Sequence, residues 1–237
     1  MESEREIVYE PHVGASRQYW RDMVLGINDG LVSMFLLVAG VVGGGLDTRS
    51  ILVTGVAGAL AGAVSMGAGE YLATKSQEEV LVSELKLEMT HIEHFRNREV
   101  AQLFGMLRDI GIDDDDIDAV ARAFSRDDQT LLNAMKVLEF GVVDTERRSP
   151  FKAMVVSAAL FLFGALPAVI PFVFVSAAGY GLTWAAALAA VALFSVGVIK
   201  TVVTHGNPLW AGFENLLIAG IGGVIAYVVG RLVGAAV

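Results

Sequence analysis

Asp29, in the run Gly26-Ile-Asn-Asp-Gly30, interrupts a stretch from Met23 to Leu46 that carries no other charge. The stretch is long enough to cross a bilayer, where an ionised carboxylate costs roughly 2.5–3.5 kcal/mol or more. Such a group persists where it lines a cavity, meets a partner or binds an ion. A second set of chemistry-bearing residues follows. At ~100° per helical residue, Glu84, Glu88, His91, Glu99 and Gln102 fall within an arc of roughly 80°, with Glu93 and His94 outside it. Asp128, Met135 and Glu139 share a face further on. One such stripe usually just faces water; two, with a thioether inside one of them, point to a metal cluster. Carboxylate is hard, imidazole borderline and thioether soft, a mixture that suits Fe²⁺, Mn²⁺ or Co²⁺. Calcium and magnesium would not recruit Met or His, and zinc more often takes several His or Cys.

The elements that must position these residues are helices. The chain is 54% hydrophobic, with mean hydropathy +0.59, far above an ordinary soluble domain. Four further apolar runs stand out: Ile51–Ala73 (charged only at Glu70), Ala153–Val175, Gly181–Ile199 and Leu216–Gly230. The last is short unless it extends back through Leu209, which would put Glu214 at its edge. These runs predict five spans of a bilayer about 30 Å thick. Arg17, Arg21, Lys75, Arg147, Arg148, Lys152 and Lys200 flank one set of ends, Arg49 and Arg231 the other. The positive-inside rule then places the N-terminus and the segment between spans two and three in the cytoplasm and the C-terminus outside. No signal peptide is evident before the first span, because Met1–Gln18 is polar and acidic. A prokaryotic inner membrane is the expected host.

The net charge of −9 is concentrated between Lys75 and Pro150, where ten Lys or Arg meet seventeen Asp or Glu. That acidity argues against nucleic acid or anionic lipid as a partner and fits cations. With zero cysteines there is no disulfide, thiolate metal site or catalytic thiol. Ser76–Ile110 reads as one long helix without Pro. Asp113–Phe124, opening on four aspartates, reads as a second, capped by that acidic run; Asp127–Phe140 reads as a third. The expected architecture is an all-α membrane protein with five transmembrane helices and a three-helix cytoplasmic insert. Its segments are 1–20 (cytoplasmic), 21–75 (spans one and two), 76–150 (metal-binding insert) and 151–237 (spans three to five).

Counting inward along antiparallel spans puts Asp29 about eight residues deep, ~12 Å, and Met66 at matching depth. Glu70 lies one turn nearer the cytoplasm on Met66's own face. A carboxylate, a thioether and a second carboxylate at one level could hold a transition metal within the bilayer. Span two is rich in small residues, including Gly58-x-x-x-Gly62, which lets helices approach closely within or between subunits. Pro167 and Pro171 should kink span three.

At these positions the chain resembles the vacuolar iron transporters of plants and fungi and their prokaryotic relatives. The resemblance rests on Gly26-Ile-Asn-Asp-Gly-Leu-Val-Ser33, Met66-Gly-Ala-Gly-Glu-Tyr71, Thr74-Lys-Ser-Gln77 and Leu166-Pro-Ala-Val-Ile-Pro171, and covers about Tyr19 to Leu232. It implies a five-spanning homodimer that is no enzyme and carries no prosthetic group. Such a protein moves Fe²⁺, with Mn²⁺ and Co²⁺ as further candidates, out of the cytosol in exchange for protons. The family's intramembrane Asp and Met fall on Asp29 and Met66. Its two Glu-x-x-Glu pairs fall on Glu88, His91, Glu99 and Gln102, and its Met-Met-x-x-Glu on Met135, Lys136 and Glu139. His91 can still ligate, Gln102 is a weaker oxygen donor, and charged Lys136 cannot bind metal. Two other readings stand beside export. Glu88-Met-Thr-His91 is a Glu-x-x-His pair of the kind found in di-iron bundles, so a ferroxidase or iron-storage protein is one. A metal-responsive membrane sensor is the other.

Overall fold

The computed structural model describes residues 17–141 and 148–236, with side chains from Trp20 onward. Most of the expected segment 1–20, and Arg147, therefore lie outside the described residues, as does the side chain of Arg17. The described residues are all-helical, in eight helices without a strand: α1 (Arg17–Gly43), α2 (Thr48–Asp109), α3 (Asp114–Phe124), α4 (Asp128–Leu138), α5 (Pro150–Val169), α6 (Pro171–Phe174), α7 (Ala178–Thr204) and α8 (Pro208–Ala236). Five of them, α1, α2, α5, α7 and α8, are long and apolar enough to cross a membrane. The chain divides into two compact units, residues 1–71 with 151–237, and residues 72–150.

In the first unit the order of contacts fixes the direction of each span. Gly67 of α2 meets Met154 of α5 while Gly55 meets Val169, so α2 and α5 run antiparallel. Gly26 of α1 meets Ser157 and Leu160 of α5 while Leu31 meets Gly164, so α1 runs parallel to α5 and antiparallel to α2. Gly40 of α1 and Gly44 just past its end lie against Ala226, Gly230 and Gly234 of α8 in rising order, which makes that pair parallel. Chain direction thus alternates from α1 through α2 to α5, and again from α7 to α8, where Gly197 meets Ala211 and Gly212 meets Phe194.

Glycine brings these spans together. A Cβ at Gly30 would overlap the Phe161 carbonyl oxygen and one at Gly164 would overlap that of Ile27, so α1 and α5 cross backbone to backbone. Gly58 and Gly62 face Leu37 of α1 and the Phe161 ring of α5, so both glycines serve close approach within the protomer. Around this crossing Met34, Val38, Ile51, Ala63, Phe161, Ala165 and Phe172 form the buried core.

Several boundaries differ from expectation for physical reasons. Span two and the first insert helix are one helix of 62 residues, since nothing between Thr74 and Gln77 breaks it. Its real interruption comes at Phe95 (φ −131°, ψ 32°). The single rod expected over Ser76–Ile110 is therefore two arms. Span five does extend back, through Leu209 to Pro208, and Lys200 of α7 pairs with Glu214 at 3.2 Å. Pro167 sits inside α5, which stops at Val169 before α6 opens on Pro171.

In the second unit Ile92, Leu103, Leu107, Ile117, Ala121, Leu131 and Met135 close an apolar core. Asp127 caps α4, its carboxylate accepting from the Thr130 amide at 2.8 Å. Asp113 was expected to cap α3 in the same way but accepts no such bond. Asp114–Asp116 instead fill the first turn, where negative charge opposes the helix dipole, and Asp114 pairs with Arg108 at 2.9 Å.

Candidate metal sites

A straight helix would hold Glu88 and Glu99 about 16 Å apart along its axis. The break at Phe95 brings them together. His91 Nδ1 lies 3.9 Å from a Glu88 carboxylate oxygen and 3.7 Å from one of Glu99, and one ligand atom from each residue falls within 4.8 Å of the others. No Pro or Gly stands near Phe95; the bend is fixed from outside. Arg96, the next residue, pairs with the Asp128 carboxylate and donates to the Ser125 carbonyl at 2.5 Å. Asp128, expected on the ligand stripe, is engaged there instead.

The cluster opens on a cavity of about 300 Å³ whose wall includes Glu84, Glu88, His91, Glu99, Gln102 and Glu139. Arg98 and Phe140, which the stripe did not predict, line it as well. Met135 is not among the lining residues; it is fully buried in the apolar core of this unit. Half-buried Lys136 lies outside the lining too.

Glu88 carries the electrostatic signature of the site. It is 5% exposed, and its Oε1 is buried without a hydrogen-bond partner. Burial, and then the negative charges of Glu99 and Glu139, push its carboxyl up to about 7, against a smaller opposing effect of His91. A buried carboxylate oxygen with no donor is costly, and a cation among these three residues would offset that cost. Two carboxylates and one imidazole are a fitting set for a divalent first-row metal.

A pH dependence follows from that raised value. Unfolded, Glu88 titrates near its ordinary 4.5; folded, it holds its proton to about 7. Between those values the folded state binds more protons, so metal-free protein should lose stability as pH rises from about 4.5 to about 7. The loss should be absent in Glu88→Gln. Melting curves of the metal-free protein in detergent would check this, and identical profiles for both proteins would overturn it.

In the first unit, Asp29 and Met66 line one cavity of about 370 Å³. Asp29, Ser33, Met34 and Leu37 of α1 face Gly58, Gly62, Ser65 and Met66 of α2, with Phe161 of α5 closing the side. The i, i+4 spacing on both helices aligns these residues on facing stripes. Ser33 Oγ donates to the Asp29 carbonyl at 2.5 Å, so the hydroxyl's lone pairs remain available. Glu70 is half-buried, one turn along α2 from Met66, and lies outside the lining of this cavity.

Helices of this length and apolarity, alternating in direction, define a multi-pass membrane protein. The chain matches the VIT family over residues 20–231 and belongs to it. It is 30% identical over 213 residues to "Vacuolar iron transporter 1" of Tulipa gesneriana, covering 90% of this chain and 86% of that protein. The protein of the same name from Arabidopsis thaliana is 29% identical over 213 residues, covering 90% of this chain and 85% of its own. "Protein CCC1" of Saccharomyces cerevisiae is 26% identical over 223 residues, covering 90% of this chain and 68% of its own length. The family and the relatives named as vacuolar iron transporters are transporters, not enzymes.

Proposed function

We propose that the chain exports a divalent transition metal, Fe²⁺ foremost with Mn²⁺ and Co²⁺ as further candidates, from the cytosol in exchange for protons. The observation that carries this reading is the single cavity lined by Asp29 and Met66 from two antiparallel spans. Asp29 supplies the charge that offsets desolvation of the ion, and Met66 supplies a thioether that a hard cation would not use. Glu70, one turn away, is the second acidic group and exchanges protons or ligates. Residues 72–150 form a cytoplasmic loading unit in which Glu88, His91 and Glu99 hold metal, with Glu139 across the cavity and Met135 packed behind. The protein works as a homodimer in a prokaryotic inner membrane, N-terminus inside and C-terminus outside. One imidazole and two carboxylates make a one-ion site, which favours transport over a di-iron oxidase.

Carboxylate ligands bind metal only when ionised, so protons and metal compete for Asp29 and Glu70. An acidic compartment on the outer side should therefore draw metal off the carrier there. Fe²⁺ entry into proteoliposomes with the cytoplasmic face outward should rise when the lumen is acidified. Glu70→Gln should weaken that dependence more than it weakens metal binding. Flux by the wild-type protein that ignores the pH gradient would rule out exchange and leave a passive carrier.

A further inference from the structure

We infer that Met34 is a second sulfur ligand in the transport cavity, a station that an ion reaches after Asp29 and Met66 and that selects for softer metals. The inference rests on the transport reading and extends it to specificity. Asp29 and Met66 mark one end of the cavity, Leu37 and Gly58 the other. Between Asp29 and Leu37 lie eight residues of α1, a path of ~12 Å. Along it Asp29 is the only ionisable residue in the lining. An ion leaving that carboxylate next meets the hydroxyls of Ser33 and Ser65, then the thioether of Met34.

Met34 is 2% exposed, and its sulfur is turned toward α2: a Cβ built on Gly58 would lie 3.7 Å from Sδ and 3.4 Å from Cε. Met34 is among the residues that line the cavity, with its thioether beside Gly58. Leu37 Cδ2, from the same helix, also reaches the space opposite Gly58, so Met34 and Leu37 together face α2 here. Met34 packs in the apolar core as well as lining the cavity, and leucine, of nearly the same volume, separates the two roles. A polarizable sulfur beyond the one carboxylate of this lining adds a donor that Fe²⁺ and Co²⁺ accept better than Mn²⁺ does.

The test compares initial rates of Fe²⁺ and Mn²⁺ entry into proteoliposomes, without oxygen, for wild type, Met34→Leu and Met34→Gln. Met34→Leu keeps the volume and removes the sulfur; its Fe²⁺ rate should fall about tenfold while the Mn²⁺ rate changes by no more than about twofold. Met34→Gln keeps the length and offers a hard oxygen, so its Fe²⁺-to-Mn²⁺ ratio should fall further, and it carries the test if the leucine variant does not fold. A ratio unchanged from wild type, or equal loss of both ions, would make Met34 a packing residue and overturn the station. Absence of any metal flux from the folded wild type would instead overturn the transport reading itself.

Discussion

Asp29→Asn should lower metal flux about a hundredfold or more while leaving the protein folded. Asparagine keeps the shape of the side chain and removes only its charge. A single charge at bilayer depth is worth roughly 2.5–3.5 kcal/mol, and each 1.36 kcal/mol is a factor of ten in rate. The Ser33 hydroxyl bonds to the Asp29 carbonyl, which the substitution does not touch. Asp29→Ala should fail equally, since it loses both the charge and the oxygen donors. Initial rates in proteoliposomes decide the matter: a normal rate in either variant would remove Asp29 from the transport path.

The second large effect is structural. At the crossing of α1 and α5 the obstacle to a methyl group at Gly30 is the Phe161 carbonyl, a backbone atom with no rotamer to give way. Gly30→Ala should therefore cost about 3 kcal/mol, the upper end for overpacking. For a chain of this size that is a fall in melting temperature of about 6–12 °C. Gly164→Ala meets the Ile27 carbonyl from the opposite helix and should behave alike. Gly69 has nothing within 4 Å of the position its Cβ would take, so Gly69→Ala should hold or slightly raise the melting temperature. Thermal unfolding in detergent, followed by size-exclusion chromatography, would show the contrast. Equal melting of the Gly30 and Gly69 variants would mean that the two helices do not cross as described.

The five spans were legible because length and apolarity are properties of a run, readable without its neighbours. Asp29 and Met66 were also legible together, because antiparallel helices convert sequence position into depth. The insert was only half legible. The angular stripe put Glu88, His91 and Glu99 on one face, but on an unbroken helix they would have formed a line rather than a cluster. The corner at Phe95 has no local cause in sequence; Arg96 reaches Ser125 and Asp128, contacts that only tertiary structure reveals. Met135 and Met34 mark the same ambiguity from opposite directions. A thioether is both a ligand and a gap-filler, and its residue type does not say which. Met135 shares a helical face with carboxylates yet lies in the core; Met34, on an apolar run, lines a cavity. Position i+5 from Asp29, opposite a glycine, was the available signal for Met34.

Along α1 and α8, Gly40 and Gly44 meet Gly230 and Gly234 with main chain against main chain. A water molecule needs a hole of at least ~10–15 Å³, and at Gly230 and Gly234 the carbonyl oxygens of Gly40 and Gly44 leave no room even for a methyl group. No file of waters can thread between two helices so joined, and without such a file protons have no wire to hop along. Such a seam bars proton leak at these points, which a membrane transporter needs if the voltage across its membrane is to survive.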